Sequence, residues 1–350
     1  MMIHTKGDLQ QMQSLPLSAK ILMTKRRIRE WYDYWDGQVY VSFSGGKDST
    51  VLLHIARELY PDIEAVFVNT GLEYPEIQSF VKTFDNVTIL RPKMRFDEVI
   101  KKYGYPIISK DVSTRIYYAR KGKQWALYAM QGREKDGSRR ENAFKKAYEK
   151  YSPLQSVDFN ISHFCCGIMK ETPLKDYEKK SGKKPIMGLL ATESKRREQA
   201  WLITGCNAFD SKIPTSKPMS FWTEQDVLQY IKENNIPIAS VYGDVVYKED
   251  SDQMRIEDYG ISGCGTEKLC TTGCHRTGCI FCAFGAHLDE RGGGRSRFER
   301  LKRTHPRQYE YCIGGGEYVN GVWQPSKEGL GMGHVFDELN KIYGDGFIKY

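Results

Sequence analysis

Six residues, Ser44-Gly45-Gly46-Lys47-Asp48-Ser49, constrain this chain more than any other stretch. They follow a short β-rich run at 38–43 and precede an apolar helix pattern through Val51, Leu52, Leu53, Ile55 and Leu59. Two glycines let a backbone approach an anion closely, and the helix N-terminus behind them offers N–H groups and a positive dipole end. Lys47 adds a point charge suited to phosphate oxygens. Asp48 is a candidate ligand for Mg²⁺, and Ser44 and Ser49 supply hydroxyl donors. The segment is not a Walker loop, which would place Gly at position 41 and Ser or Thr at position 48; Val41 and Asp48 stand there.

The rhythm that begins at the loop continues. A strand-like run at 64–68, a turn at 69–71, a helix opened by Pro75 and a strand-like run at 87–90 follow in order, with another strand at 185–190. Strands alternating with helices at this spacing predict an α/β fold with a doubly wound, mostly parallel sheet. Thr223 and Asp226 form a capping pattern at the start of a helix over 224–234. Ahead of the sheet, Leu15, Ile21, Leu22, Ile28 and Trp31 recur at helical spacing and Gly37 offers a stop. The expected divisions are a helical lead-in over 1–37, the sheet domain over 38–245, and an irregular Cys-rich, basic region over 246–350. Within the sheet domain, about 110–150 reads as a basic helical insertion. A chain of 350 residues is expected to form one large or two ordinary domains. No apolar run approaches the roughly 18 residues of a membrane span. The first residues lack the pattern of a secretory signal, so no membrane association and a cytoplasmic location are expected.

In a reducing compartment the nine cysteines call for a metal or thiol chemistry rather than a disulfide framework. Five of them crowd between Cys264 and Cys282. Cys270, Cys274, Cys279 and Cys282 make a local set that could hold zinc or an iron–sulfur centre. Cys206 is a weak candidate for a sulfur-carrying thiol. His54, inside an apolar helix, reads as packing, and His275 beside Cys274 is at best a spare ligand.

The hexapeptide resembles the signature of the PP-loop superfamily, enzymes akin to ATP pyrophosphatases, and other segments narrow the resemblance to its phosphoadenosine phosphosulfate (PAPS) reductase family. Val68-Asn69-Thr70-Gly71-Leu72-Glu73-Tyr74-Pro75-Glu76 is similar to that family's Asp-Thr-Gly-x-x-x-Pro-Glu, with Asn69 in place of Asp. Cys165-Cys166-x-x-x-Lys170-x-x-Pro173-Leu174, Glu193-Ser194-Lys195-Arg196-Arg197, Lys217-Pro218 through Trp222, Asp226 and Val227, and Gly278-Cys279-x-x-Cys282 resemble further family segments in order. The resemblance covers about 38–285 and implies an adenine nucleotide at the C-terminal edge of the sheet. Its phosphates would lie on Ser44–Ser49 and its adenine near the 66–71 strand end, with Asn69, Thr70, Gly71 and Glu73 among the nucleotide-binding residues. Arg196 and Arg197 would face a sulfate or the β- and γ-phosphates, acting with Lys47 and Asp48 in catalysis. It also implies a second reading of the cysteines, in which Cys165, Cys166, Cys279 and Cys282 hold a 4Fe-4S cluster.

One departure from the family bears on the reaction. Thioredoxin-linked members attack sulfur with a cysteine in a C-terminal Glu-Cys-Gly-x-His-type tail, whereas the last cysteine here is Cys312 in Tyr-Glu-Tyr-Cys-Ile-Gly. The leading expectation is therefore an enzyme that cleaves ATP to AMP and pyrophosphate and adenylates a substrate for sulfur transfer, as in the family's DNA-phosphorothioation-type sulfurtransferases. Such an enzyme would call on a sulfur-donor protein. The alternatives are a thiol-dependent reductase of PAPS or adenylyl sulfate and a non-catalytic nucleotide- or nucleic-acid-binding module. Nucleic acid enters as a partner because 110–150 carries 12 Lys or Arg against 5 Asp or Glu. Likewise 291–307 carries Arg291, Arg295, Arg297, Arg300, Lys302, Arg303 and Arg307 against Glu299. Aromatics interleave with both runs, a pairing of charge and stacking rings that suits single strands.

Overall fold

A computed structural model describes residues 3–134, 136–138, 145–247, 268–292 and 296–350. Cys264 and Arg295 lie outside the described residues. The chain divides into two units: residues 1–69, 73–90 and 174–277 form the first, and 70–72, 91–173 and 278–350 the second.

In chain order the first strands are β1 (Val39–Ser42), β2 (Ala65–Val68), β3 (Val87–Leu90), β4 (Ile107–Ile108), β5 (Lys184–Met187), β6 (Asn207–Ala208) and β7 (Thr215–Ser216). The first unit is built on a six-stranded sheet in the order β3-β2-β1-β5-β7-β6. Every pairing in it is parallel except β6 with β7. The fold is thus the α/β, doubly wound and mostly parallel sheet expected from the alternation. The chain winds outward from β1 to β3 and then crosses to the other side of β1 at β5. Where a parallel sheet reverses its winding, a crevice opens at the carboxyl ends of its strands. The hexapeptide leaves β1 at that point.

The helix Lys47–Leu59 buries Val51, Leu52, Leu53, Ile55 and Ala56, which is why its apolar pattern was readable. Two helices, Lys6–Gln13 and Leu17–Tyr34, make the N-terminal lead-in. The second is tied down by charge and by a ring. Lys20 Nζ donates to both Asp226 carboxylate oxygens at 2.8 and 2.7 Å, with Lys20 fully buried. Trp222 Nε1 donates to Thr24 Oγ1 at 2.9 Å. Two residues of the family-like Trp222–Val227 segment therefore hold this helix in place. Breaking such a buried pair by removing one partner costs about 3–5 kcal/mol. His54 Nδ1 lies 2.9 Å from Tyr230 Oη, a packing contact with a polar handle.

In the second unit, β4 pairs in parallel with Ala283–Phe284. The 110–150 segment contains helices Lys110–Arg120 and Gln124–Met130, the helical insertion its pattern predicts. Part of its positive charge is spent internally. Arg120 donates to the carbonyls of Phe159, Leu154 and Val157 at 2.6, 2.7 and 3.0 Å, and Arg115 lies 4.0 Å from the centre of the Tyr148 ring.

Beyond the cysteines, three helices stand where only irregular chain was expected: Arg297–Thr304, Pro306–Ile313 and Met332–Tyr343. Ser296 and Glu299 form a capping box at the first, and Pro306 opens the second. A hairpin of Glu317–Val319 with Val322–Gln324 turns through Asn320 and Gly321, both at positive φ, as an Asn-Gly two-residue turn requires. Among the described residues no helix is long and apolar enough to cross a membrane.

Candidate functional site

The loop after β1 takes its shape from a glycine that no other residue could replace. Gly45 has φ +70°, and a Cβ there would meet Ile77 and Val81 methyls at 2.8 Å. Gly46 is the N-cap of the helix Lys47–Leu59. Serine hydroxyls brace the turn: Ser44 Oγ accepts from Gly46 N at 3.3 Å, and Ser49 Oγ accepts from Ser44 N at 3.2 Å.

Lys47 is buried but not free. Its Nζ is ion-paired with Glu224 and donates to the His275 carbonyl at 2.8 Å. Its backbone N–H donates to Tyr242 Oη at 3.3 Å, and that hydroxyl lies 2.5 Å from Thr277 Oγ1. Residues 275–277 are therefore fastened to the first residue of the helix on two sides. Asp48 behaves differently. Its Oδ1 is shut away from solvent and has no hydrogen-bond partner among the described residues. Burial raises its pKa, against the pull of Lys47, Arg276 and Arg197. An orphaned buried carboxylate oxygen beside a phosphate-type loop fits a divalent cation.

The arginine pair separates. Ser194 caps the helix Lys195–Thr204, and neighbouring residues on a helix point about 100° apart. Arg197 turns in, ion-paired with Glu193 and close enough to act on Asp48, while Arg196 is exposed. Burial, and then the like charge of Arg276, lower the Arg197 pKa. Lys217, half-buried, is lowered by burial and by Arg197. Sequence reasoning missed both Glu224 and Arg276 at this loop. They stand 177 and 229 residues beyond Lys47 in the chain, and no local spacing connects them to it.

Asn69 and Glu73 also belong to the first unit, and Asn69 N donates to the Leu90 carbonyl at 2.9 Å. Thr70 and Gly71 belong to the second unit. Gly71 has φ +74°, and Thr70 Oγ1 accepts from Leu72 N at 3.1 Å.

In the second unit, Cys165, Cys166, Cys279 and Cys282 line one cavity together with Leu72, Phe96, Pro106, Met169 and Lys170. Cys165 and Cys166 sit just before a wide helical turn, Gly167–Glu171, a form that recurs at functional sites. The Cys165 thiol donates to Cys166 Sγ at 3.9 Å. That hydrogen bond, helped by Lys110 and Lys170, lowers the Cys166 pKa to about 6, while Cys165 is pushed up by the same bond and by burial. Cys279 and Cys282 are placed by a tight turn in which Cys282 N donates to Cys279 O at 3.0 Å. Ile280 N donates to Leu72 O at 2.8 Å, and Arg297 donates to the carbonyls of Cys282 and Phe284 at 3.1 and 3.0 Å. Burial raises Cys282 to about 12.

The cavity bears on the two cysteine sets left open by the sequence. Cys270 and Cys274 belong to the first unit and do not line it. Among the described residues no three His, Cys, Asp or Glu side chains converge closely enough to hold a single metal ion. A tetrahedral zinc site would bring thiolates to about 3.8 Å from one another. A four-iron cluster instead distributes four thiolates over its iron atoms, so four sulfurs around one largely apolar cavity suit it in donor type and number.

Cys206 and Cys312 are closed off. Cys206 is buried, and burial raises its pKa. Cys312 has no exposure, packs with its Sγ 3.6 Å from Met332 Sδ, and is likewise raised by burial. On the basic runs, Lys302, Arg303 and Arg307 are exposed. Arg297 is turned inward onto Asp289 at 2.6 Å.

The sequence matches the family model described as the phosphoadenosine phosphosulfate reductase domain over residues 38–110 and 123–283, about two thirds of the chain. It is 26% identical over 219 residues to an adenosine 5'-phosphosulfate reductase of Staphylococcus epidermidis, covering 61% of this chain and 70% of that protein. It is 31% identical over 145 residues to an uncharacterized protein of Methanocaldococcus jannaschii, where the match spans 38% of this chain and 35% of the relative's length. The crystal structure of the PAPS reductase from Candida auris, a phosphate complex, aligns with a TM-score of 0.36 at 14% identity, over 75% of this chain and 95% of that one.

Proposed function

Because the chain belongs to the phosphoadenosine phosphosulfate reductase domain family, we propose that it binds an adenine nucleotide on residues 44–49 and cleaves ATP between its α- and β-phosphates. The product would be an adenylated substrate, activated for sulfur insertion. Lys47 and Arg197 would stabilise the charge on the departing pyrophosphate. Asp48 would hold Mg²⁺ through the carboxylate oxygen that has no partner among the described residues. Asn69 and Glu73 would contact the adenosine. Cys165, Cys166, Cys279 and Cys282 would hold a four-iron cluster, which when bound supplies soft iron centres with an affinity for sulfur.

The observation that carries the choice of reaction is the burial of Cys312. Reduction of adenylyl sulfate or PAPS by thiol attack on the sulfur of the phosphoric–sulfuric anhydride, with the nucleotide phosphate leaving, needs an accessible cysteine of lowered pKa. Cys312, the candidate thiol for such an attack, is fully buried with a raised pKa. Exposed Lys302, Arg303 and Arg307 support a polyanionic acceptor such as nucleic acid. Sulfur transfer would also need a sulfur-donor protein, and the reaction would belong in the cytoplasm. A second reading, reduction of adenylyl sulfate or PAPS to sulfite, is favoured by the names of the relatives.

Two assays on one anaerobic preparation separate the readings. One measures pyrophosphate release from ATP with candidate nucleic acids, and the other measures sulfite release from PAPS and adenylyl sulfate in the presence of a dithiol. Pyrophosphate without sulfite supports adenylation. Sulfite without pyrophosphate establishes the reductase.

A further inference from the structure

We infer that Arg276 forms with Arg197 a guanidinium pair that grips the anionic group an adenine nucleotide carries beyond its α-phosphate, either the β,γ-diphosphate of ATP or the sulfate of adenylyl sulfate. This inference rests on the phosphate-loop reading and adds to it a residue that no motif of the chain marks.

The placement of Arg276 is fixed from both sides. The carbonyl of His275 accepts from Lys47 Nζ at 2.8 Å, and Thr277 Oγ1 lies 2.5 Å from the Tyr242 hydroxyl that accepts from Lys47 N. The residue between them cannot move independently of the loop. Its guanidinium reaches Glu193 Oε1 at 3.7 Å, and the other oxygen of that carboxylate pairs with Arg197. Glu193 is itself anchored, accepting from Leu190 N at 3.1 Å with only 15% of its side chain exposed.

One carboxylate cannot satisfy two guanidinium groups. Each carries five N–H donors in a planar fork, and a carboxylate pairs fully with one fork at a time. Donors are left over on both arginines, and both act on the buried Asp48 carboxylate. Arg276 is 60% exposed and can meet an incoming ligand, while Arg197 is 37% exposed. A tetrahedral phosphate or sulfate offers the oxygens that two forks need, which a single lysine could not match in geometry.

The test is equilibrium binding of ATP, adenylyl sulfate and AMP to the full-length chain and its variants, with thermal melting as a check on folding. Arg276→Ala is expected to weaken ATP or adenylyl sulfate by about tenfold or more while AMP stays within about twofold. Loss for ATP alone identifies the diphosphate as the ligand, and loss for adenylyl sulfate alone identifies the sulfate. Arg276→Lys should recover only part of the loss. Equal loss for AMP and the longer nucleotides, or no loss at all, overturns the inference while leaving the loop intact. If Lys47→Ala binds every nucleotide as wild type does, the loop reading fails first and takes this one with it.

Discussion

Lys47 and Glu224 form an ion pair at the mouth of the loop, with the lysine side chain 5% exposed and the carboxylate 43% exposed. Lys47 thus already holds an anion, and a nucleotide phosphate must displace Glu224 to reach it. Glu224→Gln removes that competition. We predict that it tightens ATP binding by about three- to fivefold, the scale of a half-exposed ion pair. Isothermal titration settles the point, and weaker binding would instead make Glu224 a partner of the bound nucleotide or its cation.

Asp48 predicts a trade between stability and function. Its folded pKa is raised by burial, so the protonated form is favoured in the folded state. Its contribution to stability is full below the unfolded value near 3.8 and is lost as pH rises through the higher folded value. Asp48→Asn should therefore stabilise the protein by about 1 kcal/mol at neutral pH, with the advantage shrinking toward pH 4. Turnover should be abolished. Denaturation at the two pH values checks this, and a destabilised Asn variant at neutral pH would mean that the carboxylate has a partner in the folded protein.

These residues show where the sequence stops being informative. The loop was legible because strand, glycines, lysine and helix are adjacent, each explained by its neighbours. Cys165, Cys166, Cys279 and Cys282 were legible only through a family pattern, since nothing local joins a pair at 165 to a pair at 279. The contacts of Glu224 and Arg276 are tertiary and had no signal at all. Trp222 and Asp226 were visible as a motif, but their role in clamping the helix Leu17–Tyr34 depends on Thr24 and Lys20, about 200 residues away. The three C-terminal helices had legible caps at Ser296 and Pro306, which the surrounding glycine and arginine content masked.

Cys312 should be silent in catalysis. Cys312→Ser is expected to lower stability by about 1–3 kcal/mol, because a hydroxyl replaces a thiol in an apolar site, while activity per folded molecule stays near wild type. A folded Cys312→Ser protein without activity would restore the thiol-dependent reductase.

The four cavity cysteines predict a brown protein when purified anaerobically, with iron and sulfide each near about four per chain. Cys282→Ser should lose most of both, and Cys270→Ser neither. Stoichiometric zinc without iron, or iron loss in Cys270→Ser, would return the ligands to the local set.

The most direct test of the central claim is the identity of the products made from ATP. Phosphorus NMR of an anaerobic reaction of the wild-type chain with ATP, Mg²⁺ and nucleic acid should show AMP and pyrophosphate appearing together, with neither formed by Asp48→Ala. ADP and inorganic phosphate, or intact ATP beside rapid sulfite release from adenylyl sulfate, would contradict it.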